Sequence, residues 1–452
     1  MTKSMLAATL LMMFILGIHA EQKSAAADKS APADKAGSTA RSDSVREMMS
    51  GVSEIGTILE DRHVVYEAET LKSNVLDAII EAIDPEGGAI LTKDQAVRRQ
   101  DEEKGLFYGI GCKLRIKDKW PQIMEVASNS AAATAGLCAT NLIVKIGNHS
   151  TEGMLMNDVV RLLRGGKGEA LELAIRADEK TVETRVVKLT RSAIQTPVTG
   201  TTETWPQGIG YLKVNGLYTN SGAVIVEQFN TWRGTNCFGA ILDIRGADGM
   251  DLASAVEIGS LFARAGDTLF ILRDGYNTVV TACQAKTSQP MDKPVMVLID
   301  HNTSGAAEVL AGLLSACKGA MLIGTPTRGD DRIRDIIPLS NDRVLYIATR
   351  RIELGKGPTY YQKGILPHVR VAQTNEPAIS PGRSALDFGE LSRAAEPGRE
   401  SEFADEEPDI FSGISEQERQ DRALIKRIDG DVILRRAVDI LLGLKALDFK
   451  VR

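Results

Sequence analysis

The residue best placed to act as a nucleophile is Ser304, which lies where a predicted strand passes into a predicted helix. Residues 294–299 form an apolar run typical of a buried strand, and the residues after the turn are apolar at helical spacing. Ser304 therefore lies at the beginning of a helix, where unpaired backbone N–H groups stabilise a negatively charged oxygen. This arrangement predicts acyl-transfer chemistry with Ser304 as the nucleophile, on condition that His301 or Asp330 is its base.

The same turn has a second interpretation that requires no chemistry. Thr303, Ser304 or Gly305 can begin the helix as its N-cap, and Gly305-Ala-Ala-Glu308 keeps the glutamate of a capping box. A nucleophile must lie within hydrogen-bonding reach of its base, a geometry that neither pairing guarantees. We therefore expect the capping role.

A second stretch with binding chemistry is the glycine loop Gly109-Ile110-Gly111-Cys112. Together with two later segments, residues 130–137 and 141–147, it follows the order of motifs in a PDZ domain, which this part of the chain resembles. Successive N–H groups in a glycine turn bind an anion, and an adjoining strand edge accepts a peptide as an extra strand. The resemblance implies capture of a terminal carboxylate, and a PDZ-shaped spacer that binds nothing is the alternative.

Composition and spacing exclude several classes of ligand. The five cysteines stand singly, without C-x-x-C spacing, and the five histidines never pair as H-x-x-x-H, so we expect no metal and no cofactor. Buried small apolar residues are the expected role of the cysteines. The net charge of -6 and the scattered Lys and Arg residues argue against nucleic acid as a partner.

The N-terminus has the layout of an export signal. Lys3 precedes an apolar run that extends to Ile18, and a polar stretch follows. The run is shorter than the ~20 residues that span a bilayer as a helix. The sequence therefore predicts a secreted protein, periplasmic or extracellular.

Changes in periodicity and composition predict a multidomain α/β protein. The predicted segments are a signal peptide at 1–20, a flexible linker at 21–42, a helical segment at 43–104, a PDZ-like α+β module at 105–192, an α/β domain at 193–372, a disordered acidic linker at 373–412 and a C-terminal helix at 413–452.

This order of segments resembles the carboxyl-terminal processing peptidases, also called tail-specific proteases. Three stretches carry the resemblance, Leu76-Asp-Ala-Ile-Ile-Glu-Ala-Ile-Asp-Pro85, Ile241-Leu-Asp-Ile-Arg245 and Gly364-Ile-Leu-Pro-His-Val-Arg-Val371. The resemblance implies a ClpP/crotonase-like fold for the α/β domain. It also implies a Ser-Lys dyad, whose serine begins a helix three residues before a glutamate and whose lysine follows 25 residues later.

The dyad positions of the family fall on residues that cannot perform its chemistry. With Glu308 as the anchor, the nucleophile position is Gly305 and the lysine position is Asp330. The oxyanion loop of the family corresponds to residues 243–250, in which Met250 replaces a glycine. Gly249 and Ala306 are the remaining candidates for an oxyanion hole.

The sequence therefore predicts an inactive member of the family that binds protein or peptide C-termini. Two alternatives stay open at this point. One is an active serine endopeptidase that uses Ser304 with an unusual base. The other is a structural partner of an active paralogue, and either a homo- or a hetero-oligomer is compatible with the sequence.

Overall fold

The computed structural model describes most of the chain between residues 35 and 451. The ranges are 35–178, 181, 183–286, 290–340, 342–355, 359–371 and 416–451, without the side chains of 35–42, 157 and 416–418. The predicted signal peptide and acidic linker lie outside these residues. Within the described ranges, no helix combines the length and hydropathy that a membrane crossing requires.

The described chain divides into two compact units, residues up to Val75 and residues from Leu76. The first unit contains helix α1 (Lys35–Asp61) and the beginning of α2 (Ala68–Ile83). The predicted boundary between linker and helical segment therefore differs from the structure, because residues 35–42 already belong to α1.

The second unit contains all the strands of the described residues. In chain order its elements are β1 (Ala89–Thr92), α3 (Lys93–Glu103), β2 (Leu106–Gly109), β3 (Cys112–Lys117), β4 (Trp120–Val126), α4 (Ala131–Thr134), β5 (Leu142–Ile146), β6 (His149–Ser150), α5 (Met156–Leu163), β7 (Ala170–Arg176), β8 (Arg185–Thr190), β9 (Ser192–Gln195), β10 (Thr199–Trp205), β11 (Ile209–Val214), α6 (Ser221–Arg233), β12 (Gly239–Asp243), α7 (Leu252–Ser260), β13 (Thr268–Asp274), β14 (Val279–Gln284), β15 (Val295–Ile299), α8 (Gly305–Ser315), β16 (Ala320–Gly324), β17 (Arg332–Pro338), β18 (Arg343–Leu354), β19 (Val369–Arg370), α9 (Glu416–Asp429) and α10 (Val432–Ala446).

A small α+β module extends from β2 to β9. Its main sheet has the order β3-β4-β5-β7-β8, with β6 beside β5, while β2 pairs with β9. Its core contains Ile110, Ile123, Val159 from α5 and Leu173. Its two helices are short, with four residues in α4 and eight in α5.

The larger α/β domain is built on a sheet of order β10-β11-β12-β15-β16-β19, parallel from β11 onward. Alternate residues of its strands face opposite sides. Leu242 packs in the core that contains α6, α7 and α8. Ile241 packs with α10 on the other face. The sheet is therefore covered on both sides, as parallel sheets require.

A second sheet of this unit has the order β1-β18-β13-β14, with β17 on the other edge of β18. Strands β17 and β18 form an antiparallel hairpin, in which β17 ends at Pro338 and β18 begins at Arg343. Strand β1 was not predicted and interrupts the helical N-terminal segment. A capping box between Thr92 and Gln95 begins α3 directly after β1.

Two further expectations need correction. The C-terminal segment forms two helices, because Gly430 interrupts the chain and the Asp431 carboxylate caps the N-terminus of α10. Of the five cysteines, Cys237 is buried, whereas Cys138 is exposed. Their expected role as core residues therefore does not hold for all of them.

Candidate active site

Three loops meet at the carboxyl ends of neighbouring parallel strands. They follow β12, β15 and β16, and comprise residues 244–250, 300–304 and 325–331. The N–H of Ser304 donates to the carbonyl of Ala247 at 3.0 Å. The N–H of Arg328 donates to the carbonyl of Thr303 at 3.1 Å. The sheet thus brings together the segments that carry the predicted dyad and oxyanion residues.

Gly305 has a backbone that only glycine adopts easily. Its φ is +58°, in the left-handed region. A Cβ at this position would stand closer than 3.0 Å to the carbonyl oxygen of Gly249 and 3.2 Å from the sulfur of Met250. The space that a nucleophilic side chain would need is therefore occupied by the loop after β12.

Ser304 is the N-cap residue of α8, with extended backbone angles, but its side chain makes no capping hydrogen bond. The hydroxyl of the preceding residue, Thr303, is instead hydrogen-bonded. The Thr303 hydroxyl donates to the Ile244 carbonyl at 3.0 Å, and it accepts from the N–H of Asp300 at 3.1 Å. Ser304 therefore begins the helix through its backbone position, as the capping interpretation expects.

The capping box expected at Gly305-Ala-Ala-Glu308 is wrong, because Glu308 faces away from the helix terminus. Its side chain is buried, and its carboxylate accepts from the Thr327 hydroxyl, from the N–H of Gly329 at 2.6 Å and from the N–H of Asp330 at 3.2 Å. Glu308 thus holds the loop after β16 against α8. No local pattern could identify this role, since all its partners lie about twenty residues away.

Burial is the largest influence on the Glu308 carboxyl and raises its pKa to about 7, although the hydrogen bonds from the loop partly oppose the rise. The folded state then keeps a proton that the unfolded state releases near its ordinary pKa of 4.5. The contribution of this group to the free energy of unfolding therefore falls as pH rises from about 4.5 to about 7, by about 2–4 kcal/mol, and is constant above.

We expect Glu308→Gln to remove this fall. The unfolding free energy of the wild type minus that of the variant, measured by urea titration, should decrease as pH rises from 4.5 to 7. Parallel curves for the two proteins over that range would contradict the assignment.

Asp330, at the family's lysine position, belongs to a buried ionic cluster. Its carboxylate accepts from the Arg334 guanidinium at 2.7 Å. Arg334 also donates to both carboxylate oxygens of Asp84, each at 2.8 Å, and Arg332 adds a bond to Asp84 at 2.9 Å. The Asp84 side chain is fully buried, and the Arg334 side chain is 7% exposed. A positive charge is thus present near the lysine position, but it belongs to a guanidinium with two carboxylate partners.

The two arginines hold the pKa of Asp84 below its ordinary value, although burial alone would raise it. Neither Asp84 nor Arg334 is among the site residues that the sequence predicts. Their pairing joins positions about 250 residues apart, which no local pattern reveals. The sequence shows only that the lysine position of the family is the acidic Asp330, and that a cation follows four residues later.

One of the two predicted oxyanion donors, the N–H of Ala306, is already bonded in this structure. The N–H of Ala306 donates to the carbonyl of Gly249 at 2.8 Å, so the two residues bind each other. The Met250 sulfur lies beside the same position. In this conformation the Ala306 N–H is not available to a substrate oxygen.

The loop predicted to bind a carboxylate lies in the small module, between β2 and β3. The Ile110 carbonyl accepts from the N–H of Ala132 at 2.8 Å, and the Gly111 carbonyl accepts from the N–H of Ala127 at 2.9 Å. Within the described residues, the backbone N–H groups of Ile110 and Gly111 have no hydrogen-bond acceptor. Both residues are buried, where unpaired N–H groups are rare.

Comparison with known proteins finds sequence similarity to peptidases. Carboxyl-terminal-processing peptidase 2 of Arabidopsis thaliana, a chloroplastic protein, is 29% identical over 258 residues, which are 54% of this chain and 48% of that protein. The carboxy-terminal processing protease CtpA of Bacillus subtilis is 24% identical over 317 residues, 69% of this chain and 66% of that protein. Residues 208–371 match peptidase family S41. This chain is a homologue of the carboxyl-terminal processing peptidases. It spans about half the length of the plant relative.

Two solved structures are similar to parts of this chain. The photosystem II D1 C-terminal processing protease has a TM-score of 0.43 at 23% identity, and covers 68% of this chain and 82% of its own. The PDZ domain of the carboxy-terminal protease from Vibrio cholerae, in complex with a peptide, has a TM-score of 0.19 at 26% identity, and covers 20% of this chain and 99% of its own.

Proposed function

We propose that this homologue binds the carboxyl termini of proteins or peptides and does not hydrolyse them. A PDZ domain at 105–192 binds the carboxyl terminus. The tail-specific-protease-like domain at 193–372 is the part that has lost hydrolytic activity. An exported location, periplasmic or extracellular, belongs to the same proposal and rests on the N-terminal sequence.

One observation carries the inactive half of the proposal. The nucleophile position is a glycine in a left-handed conformation, and the place of its missing side chain is taken by the carbonyl of Gly249. The lysine position supports it, because Asp330 has no amine and its carboxylate is bonded to Arg334. Neither group of the dyad is replaced by one with the same chemistry.

The binding half rests on the loop 109–112 and on the strand that follows it. Strand β3 lies at the edge of its sheet, so within the described residues one row of its backbone groups is open to an added strand. The two unpaired N–H groups of the loop precede this edge and favour an anion at its end. Gly111, at φ +79°, cannot carry a Cβ, which would stand closer than 3.0 Å to Ser130.

Binding should depend on the free carboxylate of the ligand. We expect peptides with an apolar C-terminus to bind at least ~10-fold more tightly than their C-terminal amides, because the amide loses the charge that the loop N–H groups hold. Isothermal titration of matched acid and amide peptides measures the difference. Equal affinities would rule out capture of the carboxylate.

A matched pair of variants tests the site itself. Gly111→Ala is expected to weaken binding because it displaces Ser130 and the loop. Gly136→Ala lies in the same module, also at positive φ, with nothing within 4 Å of its Cβ position, and should leave the affinity unchanged.

A second candidate function is peptidase activity with Ser304 as nucleophile. The observation that favours it is that the Ser304 side chain is partly exposed and makes no capping bond. Cleavage of an unfolded substrate that disappears in Ser304→Ala would establish this candidate and overturn the inactive half of the proposal.

A further inference from the structure

Strand β14 lies at the outer edge of the sheet β1-β18-β13-β14, and its second edge is not paired within the described residues. Its sequence is Val279-Val-Thr-Ala-Cys-Gln284. Five of these six residues are exposed, and Val279 and Val280 are 48% and 49% exposed. An outer edge of this kind presents a row of N–H and C=O groups that can pair with another strand.

Proteins normally protect such edges with charged side chains or proline. Five strands of six or more residues end a sheet in the described part of the chain, and four of them carry charged side chains. Those four are β3 (CKLRIK), β8 (RVVKLT), β10 (TGTTETW) and β17 (RIRDIIP). Strand β14 carries neither a charge nor a proline.

The hairpin that presents β14 is held rigid by its own turn. The Asp274 carboxylate accepts from the N–H of Tyr276 at 2.9 Å and from the N–H of Thr278 at 2.8 Å. The Arg273 guanidinium donates to the Asn277 carbonyl at 3.0 Å. On the inner side, Phe270 of β13 is fully buried in the core. A strand fixed in this way loses little conformational entropy when it pairs.

We propose that β14 is a self-pairing edge, at which two copies of this chain associate through antiparallel β14 strands about a two-fold axis. A two-fold axis places each residue of β14 opposite a residue of β14 in the other copy. A charged strand would then face like charges, whereas the six uncharged residues of β14 meet without repulsion. A partner of different sequence would be selected by complementary charges, which this strand lacks.

The bulge at Val280 limits the pairing to part of the strand. Val279 and Thr281 pair with consecutive residues of β13, so Val280 is the extra residue. Thr281, Ala282 and Cys283 follow in regular register with β13. The two-fold contact is therefore centred on these three residues. This inference is independent of the binding proposed for the glycine loop.

The test is sedimentation velocity of the purified full chain over a range of concentrations, with Thr281→Lys as the disrupting variant. Thr202→Lys on β10, another exposed edge position, is the matched control. We expect a concentration-dependent dimer in wild type and control, and a dissociation constant at least ~10-fold larger in Thr281→Lys, because the lysines of the two copies would lie diagonally across the axis on the same face of the paired strands, within reach of each other. Wild type that is monomeric at every concentration, or a dimer unaffected by Thr281→Lys, overturns the proposal.

Hydrogen exchange of the wild type keeps the test independent of the variant's folding. The amides of β14 that face outward should be protected at high concentration and exchange rapidly after dilution. Protection that persists in the monomer would mean that another segment of the same chain covers this edge, and would also overturn the proposal.

Discussion

Arg334→Ala should lower the free energy of unfolding by about 3–5 kcal/mol, because it removes one partner from a buried ion cluster. The guanidinium bonds Asp84 through two nitrogens and Asp330 through a third. Without Arg334, the Asp84 carboxylate keeps its hydrogen bonds from Arg332 and from the N–H of Ala348. Its negative charge stays buried with one cationic partner fewer. Urea unfolding at neutral pH measures the loss.

The matched control is Arg350→Ala in the neighbouring strand. Arg350 pairs with Asp335, but the two side chains are 32% and 41% exposed, so solvent screens the pair and its removal should cost less than ~1 kcal/mol. A loss in Arg334→Ala no larger than that of the control would show that the cluster does not stabilise the fold.

The pH dependence of Arg334→Ala follows from the direction of the Asp84 pKa. In the wild type the arginines lower this pKa, so the contribution of Asp84 to stability is present above its unfolded pKa of 3.8 and is lost as pH falls through the folded value. In the variant, burial is opposed by fewer partners and the pKa of Asp84 rises. The deficit relative to wild type should therefore narrow in acid.

Gly305→Ala should also cost several kcal/mol, about 2–5, because two penalties combine at this position. An alanine at φ +58° is strained by about 1–2 kcal/mol. Its Cβ would also displace the Gly249 carbonyl, and overpacking of this kind typically costs another 1–3 kcal/mol. Chemical unfolding of the variant against wild type measures the sum.

Gly246→Ala separates the two penalties. Gly246 lies in the adjoining loop at φ +66°, and nothing stands within 4 Å of its Cβ position. The Gly246→Ala variant therefore carries the backbone strain alone. It should be clearly less destabilised than Gly305→Ala. Equal losses in the two variants would mean that the approach of the Gly249 carbonyl does not obstruct a side chain at position 305.

The same geometry has a consequence for attempts to restore the dyad. In Gly305→Ser with Asp330→Lys, the serine would meet the Gly249 carbonyl, and the lysine would replace the carboxylate that Arg334 now binds. A like charge would then face Arg334. We therefore expect no cleavage from this double variant, and measurable peptidase activity in it would show that the loop after β12 moves aside.

Sequence periodicity predicted the elements that position the site. The strand Val295–Ile299 and the helix after it were both recognisable, because a buried strand is apolar throughout and a buried helix is apolar at 3.6-residue spacing. Strand β1 was missed because four residues are too few to show alternation. Its pairing with β18 depends on residues about 250 positions away.

The roles of individual polar residues were less accessible than the elements. Glu308 fits a capping box by spacing, but its carboxylate bonds the loop at Thr327, Gly329 and Asp330 instead. Spacing describes neighbours on one helix, whereas burial and distant donors decide where a carboxylate points. The location of Gly305 at the nucleophile position came from the family resemblance and not from local pattern.

We propose that this homologue holds a C-terminal peptide without cutting it. Mass spectrometry of a peptide with a free apolar C-terminus, recovered from its complex after prolonged incubation with the full chain, tests both parts together. We predict that the peptide co-purifies with the protein and is recovered at its full mass. Recovery of shortened peptide from wild type, at a level that falls in Ser304→Ala, would contradict the account.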